Sequence, residues 1–496
     1  MRKQGGFGST LAAFGLAAAV MLAHWGGGAQ AGEPAVTPIS GEPVLLMGAY
    51  EPADIGYTAT EHVVSGEASA YAAAALPKDG RWDATPAGKA GYATRIVVLR
   101  PTDASRFNGT VIVEWLNVTG GVDSPAVWLM AHRQMIRAGY AYVGVSAQKM
   151  GVEGGQSYMG PDNSLKKTHP GRYGALRHPG DAYAFDIYSQ VGRLVRAAGP
   201  GGVLGPLKPK AVIAVGESQS ALYLTTYVNA VDRLAKAYDG FLIHSRFAGA
   251  ASLSGSMLAT GPDNQAAAVQ IRADQRVPVL IFETEGDVVG FEGMLGFHAV
   301  RQPDTDRVRT WEVAGASHAD NYTIAVSPID TGKAPLEALA AAYAPTRSLL
   351  GQPVPAPINF GPQQHYAVQA ALATLERWVR TGKAPPTSPR IELSRATPQK
   401  AVLDAHGIAR GGIRTPWVDA PTARLSSDGN PGRMAAIFGT SEVFDAATLE
   451  RLYPGGKADY LKRFEASLDQ SIRRGFILPQ DRAEILGLAA LMYPKD

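Results

Sequence analysis

Three side chains, far apart in the chain, have the types that nucleophilic catalysis requires. Ser218 stands in Gly216-Glu217-Ser218-Gln219-Ser220, directly after the apolar run Ala211-Val212-Ile213-Ala214-Val215. A serine hydroxyl is a poor nucleophile at its free pKa, so it needs an adjacent imidazole, which in turn needs a carboxylate to fix its tautomer. Asp287 ends Glu283-Thr284-Glu285-Gly286-Asp287, after the run Val277 to Phe282. His318 ends Ala314-Gly315-Ala316-Ser317-His318, after the run Val308 to Val313. The order serine, acid, histidine is that of a nucleophile elbow at a sheet's carboxyl edge. The elbow pattern G-x-S-x-G keeps its first glycine here, but its last position is Ser220, which is small yet carries a Cβ. Asp287 occupies the usual post-strand acid position and is the favoured partner of His318, with Glu285 the alternative. Glu283, at the strand's end, suits a structural hydrogen bond. His244, at a strand end, is read as structural, and His132 and His178 as surface or packing residues.

Such a site also needs hydrogen-bond donors for a developing oxyanion. The amide of Gln219, next after the nucleophile, is the first. The second is expected from Asn117, Val118 or Thr119 in Trp115-Leu116-Asn117-Val118-Thr119-Gly120-Gly121, which follows another apolar run. Its glycines permit close backbone approach.

These residues must be carried by strands that end at one edge. Tyr92 to Leu99, Gly109 to Trp115, Tyr140 to Ser146, Ala211 to Val215, Phe241 to His244, Val277 to Phe282 and Val308 to Val313 read as strands. Helical spacing recurs over Ala126–Ala138, Asp181–Ala197, Leu222–Lys236 and Gln364–Thr381. Buried strands alternating with helices predict an α/β fold, with a mainly parallel central sheet covered by helices on both faces. Pro34 to about Ala93 reads as a β-rich preface of short extended pieces. The loops Gln148–Asp181, Ala248–Arg276 and Asp320–Pro362 are expected to form the pocket. From Pro385 onward, a proline-rich connection and then helical runs suggest a carboxy-terminal extension packed on the main domain. The expected division is 1–31, 32–384 and 385–496.

The first segment has the order of a secretory signal peptide: Arg2 and Lys3, a small-apolar run from Leu11 to Ala23, then Ala29-Gln30-Ala31. Export to the periplasm or the medium is therefore expected, with no stable membrane anchor after cleavage. The 496 residues contain no cysteine, so neither disulfides nor a thiolate metal site can contribute. The net charge of +3, without a basic stripe, gives no reason to expect nucleic acid. No His-Glu-x-x-His zinc pattern, phosphate loop or dinucleotide-binding G-x-G-x-x-G is present, so no metal or cofactor is expected.

The elbow Gly216 to Ala221, the loop Glu114 to Gly121, the segment Ala314 to Asp320 and the tail Gly411-Gly412-Ile413-Arg414-Thr415-Pro416-Trp417-Val418-Asp419 together resemble the bacterial alpha/beta hydrolase domain family. The resemblance runs from about residue 35 to the end. It implies an α/β-hydrolase fold and a secreted serine esterase acting on a small-molecule ester, with Ser218 as nucleophile and His318 as base. A peptidase, lactonase or transacylase on the same three residues, or a binding module with a decayed site, are the alternatives.

Overall fold

The computed structural model describes residues 33–197, 199, 202–256, 268–291 and 293–494. The signal-peptide reading, and part of the loop Ala248–Arg276, lie outside these residues. The strands are β1 (Ala35–Ile39), β2 (Tyr57–Ala73), β3 (Ala84–Pro101), β4 (Thr110–Trp115), β5 (Ala141–Val145), β6 (Ala211–Glu217), β7 (Gly240–His244), β8 (Val279–Thr284) and β9 (Val308–Val313). They form one nine-stranded sheet in the order β1-β2-β3-β5-β4-β6-β7-β8-β9. From β5 onward all neighbours are parallel, and β1 to β3 form an antiparallel flank joined through β3 to β5.

The central strands are near-continuous apolar runs because both of their faces are covered. Val113, Ala214, Ile243 and Ile281 point into one core, and Ile112, Ile213, Leu242 and Leu280 into the other. The first core is closed by α2 (Ala184–Arg196) through Ile187, Tyr188 and Val191. The second is closed by α1 (Ala126–Ala138) and α4 (Gln363–Thr381). Burial of each such valine, leucine or isoleucine side chain stabilises the fold by about 1.5–3 kcal/mol. The start of α1 is tied to the sheet by Glu114, whose carboxylate accepts from the amides of Val127 at 2.7 Å and Trp128 at 3.0 Å. The helix α3 (Gln219–Thr226) begins directly after Ser218 and continues through a π turn, Tyr227–Val231.

Two regions depart from the expectation. The preface is not a set of short pieces, because β2 and β3 are 17 and 18 residues long and pair along nearly their whole length. Gly66 and Pro86 read as breakers, but β3 pairs with β5 only over Ile96–Leu99, so the proline sits where one edge of the strand is free. The stretch Gln148–Asp181 is not all loop; it contains short helices at Lys149–Glu153, Leu165–Thr168 and Pro170–Tyr173.

The glycine-rich tail motif covers the edge strand. Ile413 bridges Val313 in parallel, its amide donating to the Glu312 carbonyl at 2.6 Å and its carbonyl accepting from Ala314 at 3.1 Å. Gly412 has φ 65°, and a Cβ there would lie 3.0 Å from the Glu312 carbonyl oxygen, so glycine lets the tail approach this closely. An otherwise open sheet edge is thereby capped. Beyond it Trp417 stacks on Tyr366 of α4 with ring centroids 5.7 Å apart, and Phe464 of α5 (Gly456–Arg474) packs edge-on against Trp417. No helix among the described residues is long and apolar enough to cross a membrane.

Candidate active site

At the carboxyl end of β6 the backbone turns so sharply that Ser218 takes φ 59° and ψ −120°. A non-glycine residue held there is strained, and the strain lifts its hydroxyl above the sheet edge. The turn is fixed from the neighbouring strand, since the Ser218 amide donates to the His244 carbonyl at 2.9 Å. The tightness of the turn also explains the residues on either side. A Cβ at position 216 would lie 2.9 Å from Leu224 Cδ1 and 3.1 Å from Ser220 Cβ, so glycine at 216 makes the room that the Ser220 side chain uses. The departure from the G-x-S-x-G pattern is therefore accommodated without displacing the helix.

Ser218, Asp287 and His318 meet at this edge. His318 Nε2 is 2.8 Å from Ser218 Oγ, and His318 Nδ1 is 2.6 Å from Asp287 Oδ1. The other oxygen of Asp287 accepts from the Thr284 amide at 2.8 Å and the Thr284 hydroxyl at 2.6 Å, which orients the carboxylate. Burial raises the Asp287 pKa, but the facing His318 and the Thr284 bonds outweigh it and hold this carboxyl below its ordinary range. Burial alone would lower the His318 pKa, and Asp287 together with Glu217 turns the net shift upward. Glu285 is turned away: its carboxylate accepts from the Gly315 amide at 2.8 Å and the Ser427 hydroxyl at 3.0 Å. Glu283 is buried with neither oxygen hydrogen-bonded among the described residues.

The candidate oxyanion amides are not equivalent. Asn117 spends its amide on the Ser124 carbonyl at 2.9 Å, and Thr119 spends its own on Asn117 Oδ1 at 2.8 Å. The Val118 amide reaches only the Gln219 side-chain oxygen, at 3.3 Å. Of the three it is the donor with the weakest existing bond. His132, His178 and His244 are all buried, none at the surface: His132 bonds two backbone carbonyls, His178 bonds the Ala147 carbonyl, and His244 packs edge-on against Phe282 with neither ring nitrogen hydrogen-bonded among the described residues.

A cavity of about 40 Å³ adjoins Ser218 and His318. Its walls include Thr119, Tyr158, Met159, Phe247, Phe291 and Ile437. Phe247 stacks on the His318 ring at 5.2 Å, and Phe291 meets the same ring edge-on at 5.8 Å. Of the three loops expected here, Gln148–Asp181 contributes Tyr158 and Met159. Neither Asp320–Pro362 nor the described part of Ala248–Arg276 contributes a wall residue; their place is taken by Phe247, by Phe291 and Met294 after Asp287, and by Ile437 from the carboxy-terminal region.

Comparison with family models matches residues 29–487 to the family described as alpha/beta hydrolase domain. The chain belongs to that family. The hydrolase also resembles solved structures at low identity. A glucuronoyl esterase from Solibacter usitatus is 12% identical at TM-score 0.28, with 57% of this chain and 81% of that chain covered. A fungal esterase from Rhizomucor miehei is 13% identical at TM-score 0.30, with 65% and 85% covered. An alpha-beta serine hydrolase homologue from Coxiella burnetii is 13% identical at TM-score 0.25, with 46% and 84% covered. No curated protein matches the hydrolase.

A further carboxylate, Glu217 of the elbow, stands beside this cluster. Glu217 Oε1 lies 3.5 Å from His318 Nε2, while Asn117 Nδ2 donates to its carbonyl at 3.0 Å and to Oε2 at 3.4 Å. Burial pushes the Glu217 pKa up to about 7, with His318 pulling it down. Its position between Gly216 and Ser218 in the turn was the available signal, because residues of that turn cannot lie far from whatever side chain meets Ser218.

Proposed function

We propose that this hydrolase cleaves carboxylic esters through an acyl-enzyme intermediate. The observation that carries the reading is the unbroken hydrogen-bonded line from Asp287 through His318 to Ser218, at the end of a strained elbow. His318 Nε2 takes the Ser218 proton as Oγ attacks the ester carbonyl carbon. Negative charge then develops on the carbonyl oxygen, where the amides of Gln219 and Val118 are the proposed donors. The imidazolium returns its proton to the departing alkoxide, leaving Ser218 acylated and the alcohol free. Water, activated by the same imidazole, attacks the acyl carbonyl, and the carboxylic acid leaves as Ser218 Oγ recovers its proton. Asp287 stays ionised throughout and stabilises the imidazolium.

A fluorophosphonate probe and p-nitrophenyl acetate test this directly. Wild-type protein is expected to be labelled and to release p-nitrophenol, and Ser218→Ala to lose the label and at least ~10⁴-fold of the rate. Unlabelled, inactive wild-type protein would leave the binding-module alternative standing. Turnover of peptide anilides in place of esters would make it a peptidase. Export is also part of the proposal and rests on residues 1–31 alone; cell fractionation with amino-terminal sequencing of the mature chain tests it.

A further inference from the structure

Beside the small catalytic cavity lies a much larger one, of about 900 Å³, between the segment after the acid and the carboxy-terminal region. Phe291 and Met294 line both. Sites that enclose small organic ligands commonly measure some 300–1,000 Å³, whereas the space at Ser218 holds little beyond the reacting ester group itself. The side on which the large cavity lies has chemical meaning. The leaving oxygen of an ester must come within reach of His318 Nε2, so the alcohol portion projects on the histidine side of the serine. Phe291 meets the His318 ring edge-on and also lines the large cavity, which places that cavity next to the histidine.

The wall chemistry narrows the class of alcohol. The Gln399 amide and the Lys400 ammonium make no side-chain hydrogen bond or ion pair among the described residues, and Arg424 Nε is buried without a partner while Nη2 pairs with Glu442 at 3.0 Å. Asp428 adds a carboxylate that is likewise unpaired among the described residues. Unspent donors together with an unspent acceptor suit hydroxyl groups, which both give and receive hydrogen bonds. Lys400 and Asp428 stand exposed at the rim and Gln399 is half-buried, so an alkyl chain would leave these groups to water and gain nothing from them, while an anion drawn to Lys400 and Arg424 would also meet Asp428.

We infer that the cavity between Phe291 and Lys400 binds the alcohol portion of the ester, and that this alcohol is a bulky, uncharged polyol of the carbohydrate type. The inference rests on the esterase reading above.

Three acetates with one acyl group test it: p-nitrophenyl acetate, dodecyl acetate and a methyl hexoside acetylated at its primary hydroxyl. Wild-type protein is expected to favour the hexoside over the dodecyl ester in kcat/KM. Two variants probe the cavity at its exposed rim, Lys400→Ala, which removes a donor, and Leu403→Trp, which fills space. Each is expected to lower the ratio of kcat/KM on the hexoside ester to that on p-nitrophenyl acetate by about tenfold. An unchanged ratio in both folded variants overturns the site. Preference for dodecyl acetate overturns the polyol class. Wild-type protein inactive on all three overturns the esterase reading and this one with it, which separates the two failures.

Discussion

Asp287 and Glu285 are two carboxylates of one short helix, Glu285–Val289, and their environments have little in common. Asp287 gives one oxygen to His318 and the other to Thr284. Glu285 bonds the Gly315 amide and Ser427, and its residue also lines the large cavity. Successive helical residues are about 100° apart, so positions two apart point nearly opposite ways. One then faces the imidazole and the other the carboxy-terminal region. The Thr284 side chain completes the difference: it caps the helix by accepting from the Asp287 amide at 3.2 Å, while its own amide binds the Asp287 carboxylate. The bonds that cap the helix are thus the same ones that orient the Asp287 carboxylate toward His318.

The largest expected effect follows from breaking the Asp287 side. Asp287→Asn keeps the shape but allows the imidazole to settle in the wrong tautomer, and kcat on p-nitrophenyl acetate is expected to fall ~10⁴-fold. Glu285→Asn assayed alongside should not reproduce that loss; if it did, the two carboxylates would not be divided as described. Thr284→Val removes a hydroxyl donor to Asp287 Oδ2 and is expected to cost about tenfold in kcat, with the KM little changed, because orientation rather than substrate binding is lost.

Glu217 sharpens the comparison from the other side of the ring. The groups that face it are Asn117 Nδ2 and His318, with Asp287 and Glu114 acting on it or feeling it through space. Its carboxylate helps raise the His318 pKa, and His318 must be neutral to accept the serine proton. Glu217→Gln removes that contribution, so the acidic limb of the kcat/KM profile is expected to move to lower pH. A limb that stays in place would mean that Asp287 alone sets the base.

The sharp turn at Ser218, the placing of His318 beside it and most strands were legible because each is a local pattern: an apolar run followed by small residues and one polar side chain. Ser220 looked like a flaw in the elbow, and only the packing shows that Gly216 makes room for it. The choice between Asp287 and Glu285 was open because it depends on the turn of a five-residue helix, too short to leave a periodic signal. Phe291 and Ile437 could not be assigned to the pocket, since what brings them beside His318 is tertiary packing across distant segments. The long β2–β3 pair was obscured because glycine and proline, which usually end strands, are harmless along a partly free edge.

The smallest effect on catalysis is expected from Glu285→Gln, and there the readout is stability. Burial raises the Glu285 pKa to about 7, against an ordinary value of 4.5. A group whose folded pKa is raised binds its proton more tightly in the folded chain. Its stabilising contribution is therefore complete below pH about 4.5 and is lost as pH rises through about 7. Glutamine has the shape of the protonated acid, stays neutral, and keeps an oxygen for the Gly315 amide. Relative to wild type, Glu285→Gln should leave the melting temperature nearly unchanged at low pH and raise it above neutrality, with kcat/KM on the small substrate p-nitrophenyl acetate within about threefold throughout. A variant that instead melts lower at pH 8 would show that the ionised carboxylate is held by its two donors more strongly than burial opposes it. Either result leaves the line from Asp287 through His318 to Ser218 intact, because Glu285 lies on the opposite side of the helix from the imidazole.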